Sequence, residues 1–236
     1  MLKAASLFLC AFVLTVGFSL PTHAQTTIFN IPTSDTLQRG IWNVEFDCVV
    51  KPVKYRDGGY QTLGYRVAYG ITNSTEVGAN SYYTLDGTHT TADIELSIKQ
   101  KVYQNEKHGV TASGGAVAFV PLRSRNGDKT AVIVYANAGK TIASLNGMTL
   151  TGGIYHVFGG PGDLGDRTGG MFGLVQPIKG RFSFVADWFT GKNRFGYASA
   201  GLNWNITKRQ YLLGGWSFGN EGRGNNAFAV YYGLTF

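Results

Sequence analysis

From Trp42 onward, apolar residues fall at every second position, over and over. Trp42, Val44, Phe46, Cys48 and Val50 alternate with Asn43, Glu45 and Asp47. Tyr65, Val67, Tyr69 and Ile71 alternate with Gly64, Arg66 and Ala68. Ala92, Ile94, Leu96, Ile98 and Val102 oppose Asp93, Glu95, Ser97, Lys99 and Lys101, and Phe182, Phe184, Ala186 and Trp188 oppose Arg181, Ser183 and Asp187. A period of two is the signature of a strand with unlike faces, and no helical period of useful length interrupts it. Strands are expected at 41–53, 61–72, 75–85, 91–103, 109–121, 129–140, 147–159, 169–178, 181–191, 195–206, 210–219 and 227–236. Near 109–121, 129–140, 147–159 and 169–178 both faces are apolar or small, so the pattern does not say which face is which.

Strand length separates two architectures. These segments run to about 9–13 residues, beyond the ~5–6 of an average globular strand and matched to the ~9–11 that cross a bilayer when tilted. The connections alternate too. Short turns at Asn73-Ser74, 105–108, 143–146, Lys179-Gly180 and 207–209 interleave with longer Gly-rich and charged stretches: RDGG, LDGTHT, RSRNGD, GGPGDLGDRTGG, TGKNR and GNEGRGNN. Turns on one side and loops on the other fit an all-β, closed antiparallel transmembrane β-barrel of about 12 strands. A soluble sandwich would bury the apolar face; a barrel turns it to lipid and puts polar residues inside. Aromatics near strand ends (Trp42, Tyr83, Tyr103, Trp188, Tyr211) suit the interfacial girdles of the second case. Closure is needed because hydrocarbon leaves no partner for a bare sheet edge. The last strand must therefore pair with 41–53.

Composition agrees with this. Charged residues are only 15% and aromatics 14%, while Gly is 33 of 236, about twice ordinary usage. The first 24 residues carry Lys3, an apolar run from Ala4 to Leu20 and small residues at Thr22-His23-Ala24. They read as an export signal cut between Ala24 and Gln25. Residues 25–40 then form a polar, irregular periplasmic leader before a barrel at 41–236. Loss of Lys3 takes the formal charge from +7 to +6, too mild an excess to argue nucleic acid. Cys48 is the one cysteine left after residue 24, so no internal disulfide forms.

The chain's last strand has Phe228, Val230, Tyr232, Leu234 and Phe236 at alternate positions. It resembles the C-terminal strand of bacterial outer-membrane β-barrel proteins, in which a terminal aromatic is read by the barrel-assembly machinery. YGITNSTEVGAN (Tyr69–Asn80) is similar to a hairpin of small outer-membrane transporter barrels, among them the phenol-degradation meta-pathway group. The resemblance implies outer-membrane localisation, insertion by that machinery, and contact with lipid and lipopolysaccharide. It brings no binding residues with it.

Candidate chemistry lies in the lumen. Glu45, Asp47, Arg66, Glu76, Asp93, Glu95, Lys99, Lys101, Arg181 and Asp187 are expected to point inward. They suit either the lining of a narrow pore or transporter for small solutes, or salt bridges that fill a structural or adhesive barrel. A lipid-modifying enzyme is a third class. His89 and His108 fall at opposite ends, and His156 in IYHVF lacks a following Ser-Asn pair, so the chain is expected not to be an enzyme. No cofactor or metal is expected. GGPGDLGDRTGG has neither P-loop nor EF-hand spacing and reads as an exposed flexible loop. Arg56, Arg123, Arg125, Lys129, Lys192, Arg194 and Arg223 are expected in outward loops, where they suit lipopolysaccharide phosphates.

Overall fold

The computed structural model describes residues 26–87, 90–123, 128–220 and 226–236. The expected signal segment with Ala24 and Gln25, and also His89, Arg125 and Arg223, lie outside them. Twelve strands close into one antiparallel barrel. They are β1 (Trp42–Lys51), β2 (Tyr60–Gly70), β3 (Thr75–Leu85), β4 (Thr90–Asn105), β5 (Val110–Arg123) and β6 (Ala131–Ile142). After these come β7 (Met148–Gly159), β8 (Thr168–Lys179), β9 (Phe182–Phe189), β10 (Tyr197–Asn205), β11 (Gln210–Gly219) and β12 (Ala227–Thr235). Every strand pairs with its sequence neighbours, and β1 pairs with β12 from Asn43↔Thr235 to Val50↔Phe228. Trp42 N–H and Phe236 N–H each donate to the other's carbonyl, at 2.8 and 3.0 Å, and close the seam at the turn end.

The side chains sort by face as the alternation demands. Trp42, Val44, Phe46, Leu96, Ile98, Trp188, Phe228 and Tyr232 stand exposed on the outside. Asn43, Glu45, Asp47, Ser183, Val185, Asp187, Ala229 and Tyr231 are buried inside. Trp42, Tyr83, Tyr103 and Trp188 are exposed, but Tyr211 is not in the outer girdle. It is 1% exposed and points into the lumen, because its phase on β11 is shared with Leu213.

Tyrosine and glycine answer one another across the inner wall. Four inward tyrosines sit directly opposite an inward glycine on the next strand: Tyr82↔Gly64, Tyr135↔Gly115, Tyr155↔Gly169 and Tyr211↔Gly233. A Cβ built at Gly233 would lie 2.1 Å from the Tyr211 ring, and one at Gly64 would lie 2.4 Å from Tyr82. Each ring lies flat over the gap its partner leaves. The high glycine content thus serves packing inside the lumen as well as turns.

The leader is the main departure from the sequence reading. It does not simply precede the barrel. Residues 26–37 fold into the lumen, and Ile28, Phe29 and Ile31 are at most 2% exposed. Thr26–Thr33 make a tight hairpin, with Ile28 N–H donating to the Ile31 carbonyl (2.9 Å) and Thr33 N–H to that of Thr26 (3.0 Å). Its apolar tip packs with Ile133, Tyr135, Met171, Val185, Leu213 and Tyr231 in the core of the molecule, which lies within the barrel.

Candidate functional site

The candidate site is the lumen, which the leader divides. The wall grips the hairpin from opposite sides. On β9, Asp187 Oδ2 accepts three consecutive backbone N–H groups, from Phe29 (2.9 Å), Asn30 (2.6 Å) and Ile31 (2.9 Å). The Asn30 amide reaches Ser199 Oγ at 2.8 Å, and Ser199 meets Ser217 at 2.8 Å. On β4, Lys99 Nζ pairs with Glu76 (3.3 Å) and donates to the Thr26 carbonyl (3.2 Å). Glu76 accepts the Leu37 N–H at 2.9 Å, Lys101 pairs with Asp35 at 2.7 Å, and Asn137 donates to the Pro32 carbonyl at 2.8 Å. Buried backbone amides need partners, and a carboxylate facing three of them makes strong charge-assisted bonds.

Glycines complete this seat. A Cβ at Gly173 would meet Ile28 at 2.3 Å and Ile31 at 2.7 Å. Those at Gly201 and Gly215 would meet the Phe29 ring at 2.8 and 2.6 Å, and one at Gly139 would meet Ser34 at 2.1 Å. The wall is recessed where the leader fits.

A second cluster crosses β1, β2, β3 and β11. Arg66 Nη1 donates to Glu45 at 2.6 Å and lies 3.7 Å from Asp47. The Tyr82 hydroxyl donates to Asp47 (2.9 Å), and the Tyr211 hydroxyl donates to Glu45. Cross-strand pairing dictates this cluster, since Glu45 faces Arg66 directly in the β1–β2 register.

Beside the hairpin the lumen holds a cavity of about 500 Å³ that runs from Asn43, Ala68 and Glu76 near the short turns to Tyr60, Thr84 and Tyr197 near the long loops. Thr26, Thr27, Phe29, Asn30 and Pro32 line it from the leader. Asp47, Arg66, Asn80, Asp93 and Glu95 line it from β1–β4, and Val117, Phe119, Ile133, Met171 and Phe189 from β5, β6, β8 and β9. Glu95 accepts from the Asn80 amide at 3.2 Å. The cavity shares Tyr60, Thr84, Asp93 and Arg194 with a second space of about 550 Å³ among the long loops, where Asp86 and Asp128 also lie.

Two of those loops fold against each other over the mouth. Asn193, 1% exposed, donates to the Tyr155 hydroxyl (2.9 Å) and the Asp166 carbonyl (2.6 Å), and Lys192 N–H donates to Asp166 Oδ2 (2.9 Å). GGPGDLGDRTGG is therefore not a free exposed loop: Leu164 is 5% exposed and packs into the core.

The structure brings most of the expected lumen residues together. Glu45, Asp47 and Arg66 share one cluster, Glu76 and Lys99 pair beneath the leader, and Asp93 and Glu95 face the cavity. Lys101 and Asp187 hold the leader. Arg181 does not belong with them. β9 begins only at Phe182, so Arg181 is exposed in the turn and donates to the Ile206 carbonyl. Arg194 is a second correction. It turns into the mouth, its guanidinium 5.5 Å from the Phe119 ring and 4.9 Å from that of Phe195. Sequence reading missed the apolar wall of β5, β6 and β8 and the leader's tip; the IFNI run at 28–31 is the one local signal that pointed to them. His156 faces outward, with Nδ1 2.7 Å from Thr168 Oγ1, its one hydrogen-bond partner among the described residues. Among the described residues no cluster of His, Cys, Asp or Glu has the makings of a metal site.

No protein-family model and no curated protein matches the chain. Solved structures do. Outer membrane phospholipase A from Escherichia coli superposes with a TM-score of 0.50 at 14% identity, over 83% of this chain and 92% of that one. The Salmonella typhi outer membrane phospholipase, solved as a dimer with bound calcium, gives 0.50 at 13% identity over 83% and 90%. At such identities the likeness speaks for the fold alone: this chain is a twelve-stranded antiparallel barrel of the bacterial outer-membrane type.

Proposed function

We propose that this barrel is a narrow outer-membrane conduit for small solutes, obstructed by its own leader. The observation that carries the reading is the division of the lumen. A cavity of about 500 Å³ runs beside the hairpin 26–33, which lines one side of it. A purely structural barrel has no use for such a cavity, whereas a conduit needs one space for solute and one removable barrier. The hairpin is held by polar bonds and by recesses at Gly173, Gly201 and Gly215, not by a covalent link, so it can leave without breaking the wall.

Single-channel recording in planar bilayers tests this. The wild type is expected to be mostly closed with brief openings, and a variant lacking residues 26–37 to conduct continuously. If that variant inserts and stays silent, the filled structural barrel is the correct reading.

The remaining contacts are proposed on the same footing. Arg56, Arg123, Lys129 and Lys192 are exposed at the long-loop end, where they suit outer-leaflet phosphates. The β12 pattern ending in Phe236 suits recognition by the barrel-assembly machinery. One observation favours a second function, lipid hydrolysis: the imidazole–hydroxyl pair His156–Thr168 sits on the lipid-facing side of β7 and β8. Phospholipid turnover lost in both His156→Ala and Thr168→Val would establish it.

A further inference from the structure

We propose that the lumen cavity binds small organic cations with an apolar body. The inference deepens the conduit reading by naming its solute class, and it rests on that reading only for the direction of travel.

The cavity has two unlike walls. On one, Phe119, Ile133, Tyr135, Met171, Phe189 and Phe195 give an apolar, aromatic surface. Continuing it onto β4 and β1, where Glu95 pairs with Phe119 across the β4–β5 register, Asp47, Asp93 and Glu95 present carboxylates. Across the cavity and the mouth, the described lining has six acids (Asp47, Glu76, Asp86, Asp93, Glu95 and Asp128) against three bases (Arg66, Lys99 and Arg194). This inverts the balance of the whole chain, which is +7.

Two of the bases are already committed. Lys99 pairs with Glu76, and Arg66 with Glu45 and Asp47. On the solute's path, Glu95 has one hydrogen-bond partner among the described residues, the Asn80 amide, and Asp93 has no salt bridge or hydrogen bond there. Deeper in, Asp47 is 2% exposed and keeps Oδ1 without a hydrogen-bond partner among the described residues. Carboxylates in a confined, partly apolar space favour a cation more strongly than the same groups in water.

The protein itself shows that the aromatic wall accepts positive charge. Arg194 reaches in from the loop 190–196 and lies over Phe119 and Phe195 at 5.5 and 4.9 Å, within cation–π range. An ammonium with a ring or short aliphatic body matches both walls at once. The volume of about 500 Å³ suits a single such molecule.

Arg194 then competes with the solute for the mouth, which gives the test opposite signs. The full mature protein in a non-ionic detergent is titrated calorimetrically with benzyltrimethylammonium, benzyl alcohol and phenylacetate. The cation is expected to bind at least about tenfold more tightly than either of the others, the scale of one charge-assisted contact. Glu95→Gln should weaken it by roughly tenfold, and Arg194→Gln should tighten it by about threefold or more. A destabilised barrel would shift both variants the same way. Equal binding of the three probes, preference for phenylacetate, or no response to both substitutions overturns the proposal. Binding without conductance in bilayers would sink the conduit reading and leave the site standing; conductance without cation preference would do the reverse.

Discussion

Where the leader seats, polar groups of the wall face groups of the leader. Asp187 meets three amides, Glu76 meets Lys99 and the Leu37 N–H, and Asn137 meets the Pro32 carbonyl. Away from the leader, β4 carries Asp93 and Glu95 into the cavity, where protein partners are few. The sequence pattern treats these residues alike: all are single charges at alternate positions. What separates them is whether the leader touches them. A lumen charge in contact with the leader becomes structural, and one beyond its reach lines the cavity.

The comparison can be broken at several points, and the effects should fall off in order. Asp187→Ala strands three amides, of which the two buried ones at Phe29 and Ile31 each cost about 1–3 kcal/mol if unsatisfied. It should shift leader seating by at least ~100-fold. Limited proteolysis near residues 26–33 and open probability should both rise sharply, while Glu95→Ala should move neither. Glu76→Gln leaves Lys99 buried and unpaired, at a cost of about 3 kcal/mol. Heat-modifiable gel mobility should register that loss, and Glu76→Gln combined with Lys99→Met should recover most of it.

Gly173→Leu attacks the same seat by volume. A Cβ there already meets Ile28 at 2.3 Å, so the hairpin tip must move while the barrel hydrogen bonds persist. Leader proteolysis should increase with little change in gel mobility. At the seam, deletion of Phe236 removes the paired bonds to Trp42 and should lower the yield of inserted barrel severalfold without altering cation binding. Lys101→Ala should be the mildest of all. Its partner Asp35 has 41% of its side chain exposed, which keeps the pair under about 1 kcal/mol.

The sequence made much of this legible, for reasons that can be located. Strands β1, β2, β4, β9 and β12 have one apolar and one polar face, and their inward residues sit where alternation puts them. Strands β5 to β8 defeated the same reasoning. Their inner face is itself apolar (Ile133, Tyr135, Val157, Met171), because it packs against Ile28, Phe29, Ile31 and Leu164 rather than water. A leader with only four apolar residues in sixteen looks like a tail when read alone, and the apolar partners of its tip are more than a hundred positions away. Tyr211 and Arg181 were misplaced by smaller effects. The tyrosine sits at a strand end, as girdle residues do, but it fills the gap at Gly233. Arg181 extends the β9 alternation by one residue, but Gly180 at φ +61° has already turned the chain.

The central claim is that the leader is a removable barrier, and a reversible lock tests it most directly. Asn30 and Ser199 stand 2.8 Å apart across the hairpin tip and β10. Cysteines at both positions, in a Cys48→Ser background, allow the tip to be bonded to the wall and released again. Single-channel conductance should vanish in the oxidised protein and return on reduction in the same bilayer. Openings of equal size and frequency in both states would contradict the account.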